Sequence, residues 1–252
     1  MKSPLVSVVI VTWNRPQFLA FAVEQFKAQI YKSKELIVVD DSEPGKALDL
    51  SCQPDVKVIR PAERLTVGEK LAIGFDAAQG DYVAYQDDDD WISPSYLTRQ
   101  VGPLISGQGT VAATQRDLTL KLERAATWWR FKPQEARPPV AQWIGNGTAD
   151  YRWWRIKDST AVFSRAALSK GARHEKINVI EKVKFLNLMH AQGERLVTIP
   201  NQQHYVYCRH SANIWQYRED LIHERAKAPD WFPAGDLKRL MEAATAVRSP
   251  RS

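Results

Sequence analysis

Hydrophobic positions run without interruption through Val6 to Thr12 (VSVVIVT), and such a β-branched run predicts a strand buried on both faces of a parallel sheet. Asn14 is placed to cap a following helix with Pro16 in its first turn, and Phe18, Ala22, Phe26 and Ile30 recur beyond it at helical spacing. Short apolar runs predict further strands at Leu36 to Val39, Val56 to Ile59 and Tyr82 to Tyr85. A helix from Val67 to Ala78, closed by Gly80, precedes the last of these. Strands alternating with helices predict an α/β fold, with a mostly parallel central sheet flanked by helices and right-handed crossovers. After residue 94 the pattern loosens. Pro94 to Ile105 reads as a helix broken at its end by Pro103, Ser159 to Phe163 as a strand, and Val179 to Ala191 as a helix. Leu196 to Ile199 and His204 to Cys208 read as strands. Residues 132–150 read as a long ordered loop around Trp143, and residues 245–252 as a frayed basic tail.

Ligands of open α/β sheets bind beyond the carboxyl ends of the strands. Three polar clusters fall at those ends: Thr12-Trp13-Asn14-Arg15, Asp40-Asp41, and the run Asp87 to Asp90. Segments far apart in sequence thus converge on one rim. Four adjacent carboxylates repel one another and call for a compensating cation. Hard divalent ions such as Mg²⁺ or Mn²⁺ take oxygen ligands and bridge phosphates. If the run continues the strand, Asp87 and Asp89 point the same way. The plainer alternative is a solvated acidic turn.

Composition narrows the picture. A chain of 252 residues with 44% hydrophobic content builds an ordinary globular domain. No apolar run is long enough to span a membrane, and no signal stretch opens the chain, so a cytoplasmic location is expected. Cys52 and Cys208 lie outside any CxxC pair, as suits core thiols in a reducing compartment. Charge is uneven: residues 1–93 carry ten Lys/Arg and fifteen Asp/Glu, and residues 116–157 carry nine and four. The second segment also holds five of the nine tryptophans, Trp128, Trp129, Trp143, Trp153 and Trp154. A basic, aromatic stretch suits an anionic or stacking partner, or else it is a solvated face over a tryptophan-rich core.

Four pieces in order, VSVVIVTWNRP at 6–16, IVVDDSEPG at 37–45, VGEKLAIGFDAAQGDYVAYQDDDDWISP at 67–94 and YVYCRHSANIW at 205–215, resemble the family 2 glycosyltransferases of GT-A fold. The resemblance implies a Rossmann-like donor half over 1–93, and an acceptor-binding and catalytic lobe of the same domain over 94–244. It implies a nucleotide-sugar donor, UDP by family habit, and a Mn²⁺ or Mg²⁺ cofactor. The family's DxD motif falls on Asp87 and Asp89, with Asp89 the more direct metal ligand and Asp88 beside the donor. Asp41, with Asp40 nearby, falls where the family contacts the donor's base or ribose. Thr12, Asn14 and Arg15 border the nucleotide. Lys70 stands for the arginine of an Arg-Asn pair, and Ala72 replaces the asparagine. Trp91 falls on an aromatic position that walls the sugar pocket or packs in the core. His210 is placed to reach back to the metal or diphosphate, with His204 as the alternative.

Inverting members carry a Glu-Asp pair at the start of a late helix, one carboxylate of which deprotonates the acceptor. Glu181 fits the first acid, and Lys182 occupies the place of the second. A lysine acts as a base only if burial lowers its pKa by several units. Arg152, Trp153, Trp154 and Arg155 are the expected acceptor contacts. A glycan or glycoconjugate suits the aromatics, and DNA with a hydroxylated base suits the charge as well. Two other readings remain. A nucleotidyltransferase calls for a Gly-rich phosphate loop after its first strand, and TWNRPQ has no glycine. A non-catalytic carbohydrate or nucleic-acid binding module on the same fold is the reading that Lys182 keeps open.

Overall fold

The apolar run Val6–Thr12 forms β1, at the heart of a seven-stranded sheet. The computed structural model describes residues 3–51, 53, 55–132, 155–178, 181–213 and 223–247. Strand β2 (Lys34–Asp40) and β4 (Tyr82–Tyr85) flank β1 in parallel, and β3 (Val56–Ile59) extends the sheet beyond β2. Past β4 come β9 (Val162–Ser164), antiparallel to both its neighbours, then β6 (Val111–Thr114) and β10 (Leu196–Ile199). Strands from residues 94–244 therefore complete the sheet that residues 1–93 begin.

Both faces of the sheet are covered, which is why its strands read as continuous apolar runs. Val8, Ile10, Leu36 and Val38 pack on one face with α1 (Pro16–Lys27) and α3 (Tyr96–Ile105). Val9, Ile37 and Val39 pack on the other with α2 (Val67–Ala77) and α5 (Glu181–Ala191). A second sheet, in the order β12-β8-β7-β11-β5, joins β5 (Trp91–Ile92), β7 (Leu118–Leu122), β8 (Ala126–Phe131), β11 (Tyr205–Arg209) and β12 (His223–Ala226). With α6 (Ala234–Ala246) and the outer face of α1 it encloses a third core of Phe18, Phe21, Trp91, Leu120, Trp128 and Leu240. The short helix α4 (Arg165–Leu168) follows β9.

Several elements differ from the sequence reading. Asn14 does not cap α1: Arg15 holds the N-cap position without a side-chain cap bond, and Asn14 takes a positive φ of 53°, which asparagine tolerates. Helix α1 ends at Lys27, so Ile30 lies beyond it and is exposed. Helix α2 is held by a Thr66–Glu69 capping box at its start and ends on the extended Ala78. Gly80 instead permits a close approach, since a Cβ there would lie 2.7 Å from the Leu5 carbonyl oxygen and the Ser7 nitrogen. Pro103 sits inside the last turn of α3. Asp158–Thr160 is a 3-10 turn, which leaves a shorter strand after it. The long loop around Trp143 lies outside the described residues apart from Lys132. Residues 245–247 continue α6 and its cap, and 248–252 lie outside them too. Among the described residues no helix is long and apolar enough to cross a membrane.

Candidate functional site

Strands β1, β2 and β4 end side by side, and their carboxyl ends carry the three polar clusters onto one rim. The aspartates follow β4 in a bend rather than in continued strand. It is the bend, not pleat alternation, that brings oxygens of Asp87, Asp89 and Asp90 within 4.8 Å of one another. Asp90 serves the fold. Its Oδ1 accepts the Cys208 amide at 2.8 Å and its Oδ2 accepts the Tyr205 hydroxyl, tying the bend to β11. Burial, with Asp89 and Asp87 nearby, pushes its carboxyl well above the usual range. Asp88 Oδ2 accepts the Thr12 hydroxyl at 2.6 Å. With Asp90 tied to β11, Asp87 and Asp89 are the other two of the three clustered carboxylates that could hold an ion. Carboxylate oxygens are the donor set a hard divalent ion takes, so these two residues fit such an ion, with its other positions left to phosphate and water.

Protein cations already meet these carboxylates. Arg15 Nη1 lies 3.2 Å from Asp88 Oδ1 and 3.0 Å from Asp89 Oδ2, and its Nη2 donates to the Ala212 carbonyl. Lys182, from the first turn of α5, pairs with Asp87 Oδ1. Asp89 Oδ2 also accepts Asn213 Nδ2 at 3.0 Å and contacts His210 Nε2 at 3.0 Å. Burial pushes the Asp89 carboxyl up, but His210 and Arg15 outweigh it and hold it well below the usual range. The Ala212 amide donates to His210 Nδ1 at 3.2 Å, which turns Nε2 of the ring toward Asp89. His210, stacked on Phe18 at 4.6 Å, thus reaches the aspartate run through its contact with Asp89. His204 is far less suited to the role: it is buried, bonded to Thr114 Oγ1, with its pKa lowered by burial to about 4.

At the β2 end the expected donor carboxylates turn inward. Asp40 takes Arg60 at 2.8 Å and the Ser42 amide at 3.0 Å. Asp41 takes Arg64 at 2.7 Å, the Leu65 amide at 2.8 Å and Lys70 at 2.7 Å. Burial pushes Asp41 up, and these donors more than reverse it. Lys70 also reaches the Thr12 carbonyl at 2.9 Å, so it bolts β1 to β2. The groups left at the surface here are Arg60, Arg64 and Trp13, with the Arg64 guanidinium 4.1 Å over the Trp13 ring. Asn14 staples the two loops, its Oδ1 accepting the Glu43 amide and its own amide donating to Ser42 Oγ.

Glu181 opens α5 and is buried. Burial raises its carboxyl to about 7, against the opposing charge of Lys182, with Asp158 and Asp87 adding to the rise. That is the poise a general base needs near neutral pH. Lys182 is no base: burial would lower its pKa, but Asp87, Glu181 and Asp158 outweigh burial and raise it. Trp91 is core, its Nε1 donating to Asp236 at 2.7 Å and its ring packed on Trp231 and Phe232.

Of the expected acceptor contacts, Arg155 is exposed, whereas Arg152, Trp153 and Trp154 lie outside the described residues, as does Trp143. Trp128 packs inside against Phe232, and Lys157 is buried with its ammonium 3.8 Å over the Tyr207 ring. Sequence reasoning placed Trp13 on the rim within the segment Thr12 to Arg15, and missed Arg60, Arg64, Asp158 and Asn213 as site residues. The signal for the arginines was indirect: two buried carboxylates need partners, and the loop after β3 is basic.

Residues 7–175, about two thirds of the chain, match the sequence profile described as glycosyl transferase family 2. EpsH of Bacillus subtilis (strain 168), provisionally described as a glycosyltransferase, is 29% identical over 106 residues, which is 40% of this chain and 30% of EpsH. The mannosyltransferase PcManGT from Pyrobaculum calidifontis, solved with GDP-Man and Mn²⁺, superposes with a TM-score of 0.59 at 17% identity, over 82% of this chain and 57% of that one. TarS of S. aureus (residues 1–349), solved with UDP-GlcNAc, superposes with a TM-score of 0.61 at 15% identity, over 83% and 60%. At such identities the likeness shows the fold alone, which is of GT-A type. The match spans less than half the length of the curated relatives and less than two thirds of the solved chains.

Proposed function

The chain belongs to glycosyl transferase family 2, and from that premise we propose that it moves a sugar from a nucleotide diphosphate sugar to an acceptor hydroxyl. The observation that carries this reading is the rim itself. A DxD pair, Asp87 and Asp89, stands beside a buried carboxyl poised at about 7, Glu181, at the carboxyl ends of parallel strands. A divalent ion, Mn²⁺ or Mg²⁺, held by Asp87 and Asp89 would offset the charge that develops on the leaving nucleotide. Arg15 fixes Asp88 and Asp89, and His210 with Asn213 aims Asp89. Trp13 offers its exposed ring to the base, with Arg64 as the polar neighbour. Asp40, Asp41 and Lys70 act from behind, by holding the arginines and the β1 end in place. Glu181 takes the acceptor proton as the anomeric carbon inverts.

Two nucleotides, GDP and UDP, occur with the two solved relatives, so the fold alone does not choose the base. We take a UDP-sugar as the donor to test first. The acceptor we propose is a glycan or glycoconjugate rather than DNA. The inward packing of Trp128 and Lys157 supports this choice, because it removes part of the basic, aromatic surface that a strand of DNA would use. Cys208 is a free, buried thiol, in keeping with a reducing, cytoplasmic setting.

The test is slow hydrolysis of UDP-sugars with and without Mn²⁺, followed by transfer to acceptor panels. Metal-dependent turnover that disappears in Asp89→Ala, with the fold intact, is expected. Near-normal turnover of Asp89→Ala in chelator-treated buffer would overturn the metal role. Conversion of the UDP-sugar and added pyrophosphate to UTP and a sugar 1-phosphate would make the protein a nucleotidyltransferase, and donor binding with no turnover would make it a binding module.

A further inference from the structure

Each carboxylate of the aspartate run is matched from within the protein, but the four are not matched equally. Asp90 is held through both oxygens by the Cys208 amide and the Tyr205 hydroxyl. Asp88 and Asp89 share Arg15, whose fork is locked a third time on the Ala212 carbonyl. Asp87 is different. Its side chain is 24% exposed, and it pairs with the ammonium of Lys182, itself 8% exposed and 5.5 Å over the Tyr85 ring. An arginine fixed by several bonds stays where it is, whereas a lysine is a point charge on a four-carbon stem and can move to a stronger anion. Lys182 also stands where the family resemblance puts an acid, so the charge beside Asp87 differs from that pattern by two units. A divalent ion approaching Asp87 must meet this ammonium at close range. A nucleoside diphosphate, in contrast, is an anion the ammonium can follow.

We infer that Lys182 is a resident counter-cation of Asp87: it withholds Asp87 from a divalent ion in the free protein and moves to the phosphates when a nucleoside diphosphate arrives. Metal and nucleotide then bind as a pair, and neither holds the site well alone. Lys182 is a positioning residue in this scheme, and the scheme rests on the reading of Asp87 and Asp89 as metal ligands.

The test is titration with Mn²⁺, read from the free-ion signal in electron paramagnetic resonance, with and without saturating UDP. The wild type is expected to bind Mn²⁺ weakly alone and at least about tenfold more tightly with UDP. Lys182→Met should bind Mn²⁺ about tenfold more tightly than the wild type without UDP, the scale of removing one unit charge a few ångströms from a divalent ion under solvent screening. Its enhancement by UDP, measured against Mn²⁺ and UDP without protein, should be smaller than that of the wild type. Lys182→Arg keeps the charge and should bind Mn²⁺ without UDP as weakly as the wild type. If Lys182→Met does not fold, Lys182→Gln serves in its place. A neutral variant that binds Mn²⁺ no more tightly than the wild type, or a Lys182→Arg variant that gains affinity as the neutral one does, overturns the inference. Asp89→Ala separates the two levels. If it leaves UDP-supported Mn²⁺ binding intact, the metal site itself is misassigned and the inference falls with it. If it abolishes that binding while the neutral Lys182 variant shows no gain, the inference alone falls.

Discussion

Replacing Glu181 with glutamine tests stability and catalysis together, because one buried carboxyl is asked to explain both. Burial raises this carboxyl from the ordinary 4.5 to about 7, with Lys182 opposing the rise. At 1.36 kcal/mol per pKa unit, that shift costs ~3 kcal/mol of folding free energy once the group is ionised. The native protein holds the proton more tightly than the unfolded chain does. The cost is therefore absent below the unfolded pKa, grows as pH rises from that value to about 7, and is complete above it. Glutamine keeps the shape and never ionises. Urea unfolding of the wild type and Glu181→Gln across pH 5 to 8 should show the variant gaining on the wild type by ~2 kcal/mol over that range. Parallel stability profiles would refute the burial argument. In turnover, only the ionised carboxylate accepts a proton, so the wild-type rate should rise through about pH 7 and level off above it. Glu181→Gln should lose ~10²–10⁴ of the chemical step at every pH, with donor affinity little changed. Full activity of the variant would place the base elsewhere, and the anomeric proton of the product, read by NMR, would show whether the reaction retains or inverts.

Two further substitutions separate site from scaffold. His210→Ala should weaken binding of UDP with Mn²⁺ by ~1–3 kcal/mol, the scale of losing one buried polar partner of Asp89, as read by calorimetric titration. Unchanged affinity would leave the ring as a packing partner of Phe18. Trp91→Ala should destabilise the fold by ~3–5 kcal/mol without altering donor affinity per folded molecule, since its ring fills the third core. An unchanged melting temperature would contradict that placement.

The elements that frame the site were legible because each is self-announcing. VSVVIVT, IVVD and YVAY are buried on both faces, so apolar continuity alone marks them, and the polar residues that end them had to meet on one rim. The second half was harder to read. Strands β6, β7, β8 and β12 are short, and ATWWRF reads more naturally as a basic aromatic patch than as a strand of a small sheet. Helix α6 is rich in alanine and charge and buries only a narrow stripe of Leu240, Ala243 and Ala244, too little for its apolar period to stand out.

The sequence by itself determined the parallel sheet, the converging rim, and which residue types stand on it. Only the tertiary structure decided what those residues do there. Asp40 and Asp41 look outward on paper and are turned inward by Arg60, Arg64 and Lys70. Trp91 adjoins the aspartates in sequence and packs away from them, against α6. Lys182 lies 95 residues from Asp87 and meets it across the rim. The physical reason is one of range. Burial is imposed on a segment by its own apolar pattern and can be read locally. A charge, by contrast, takes its role from whichever opposite charge the fold brings within a few ångströms, and no local pattern records that meeting.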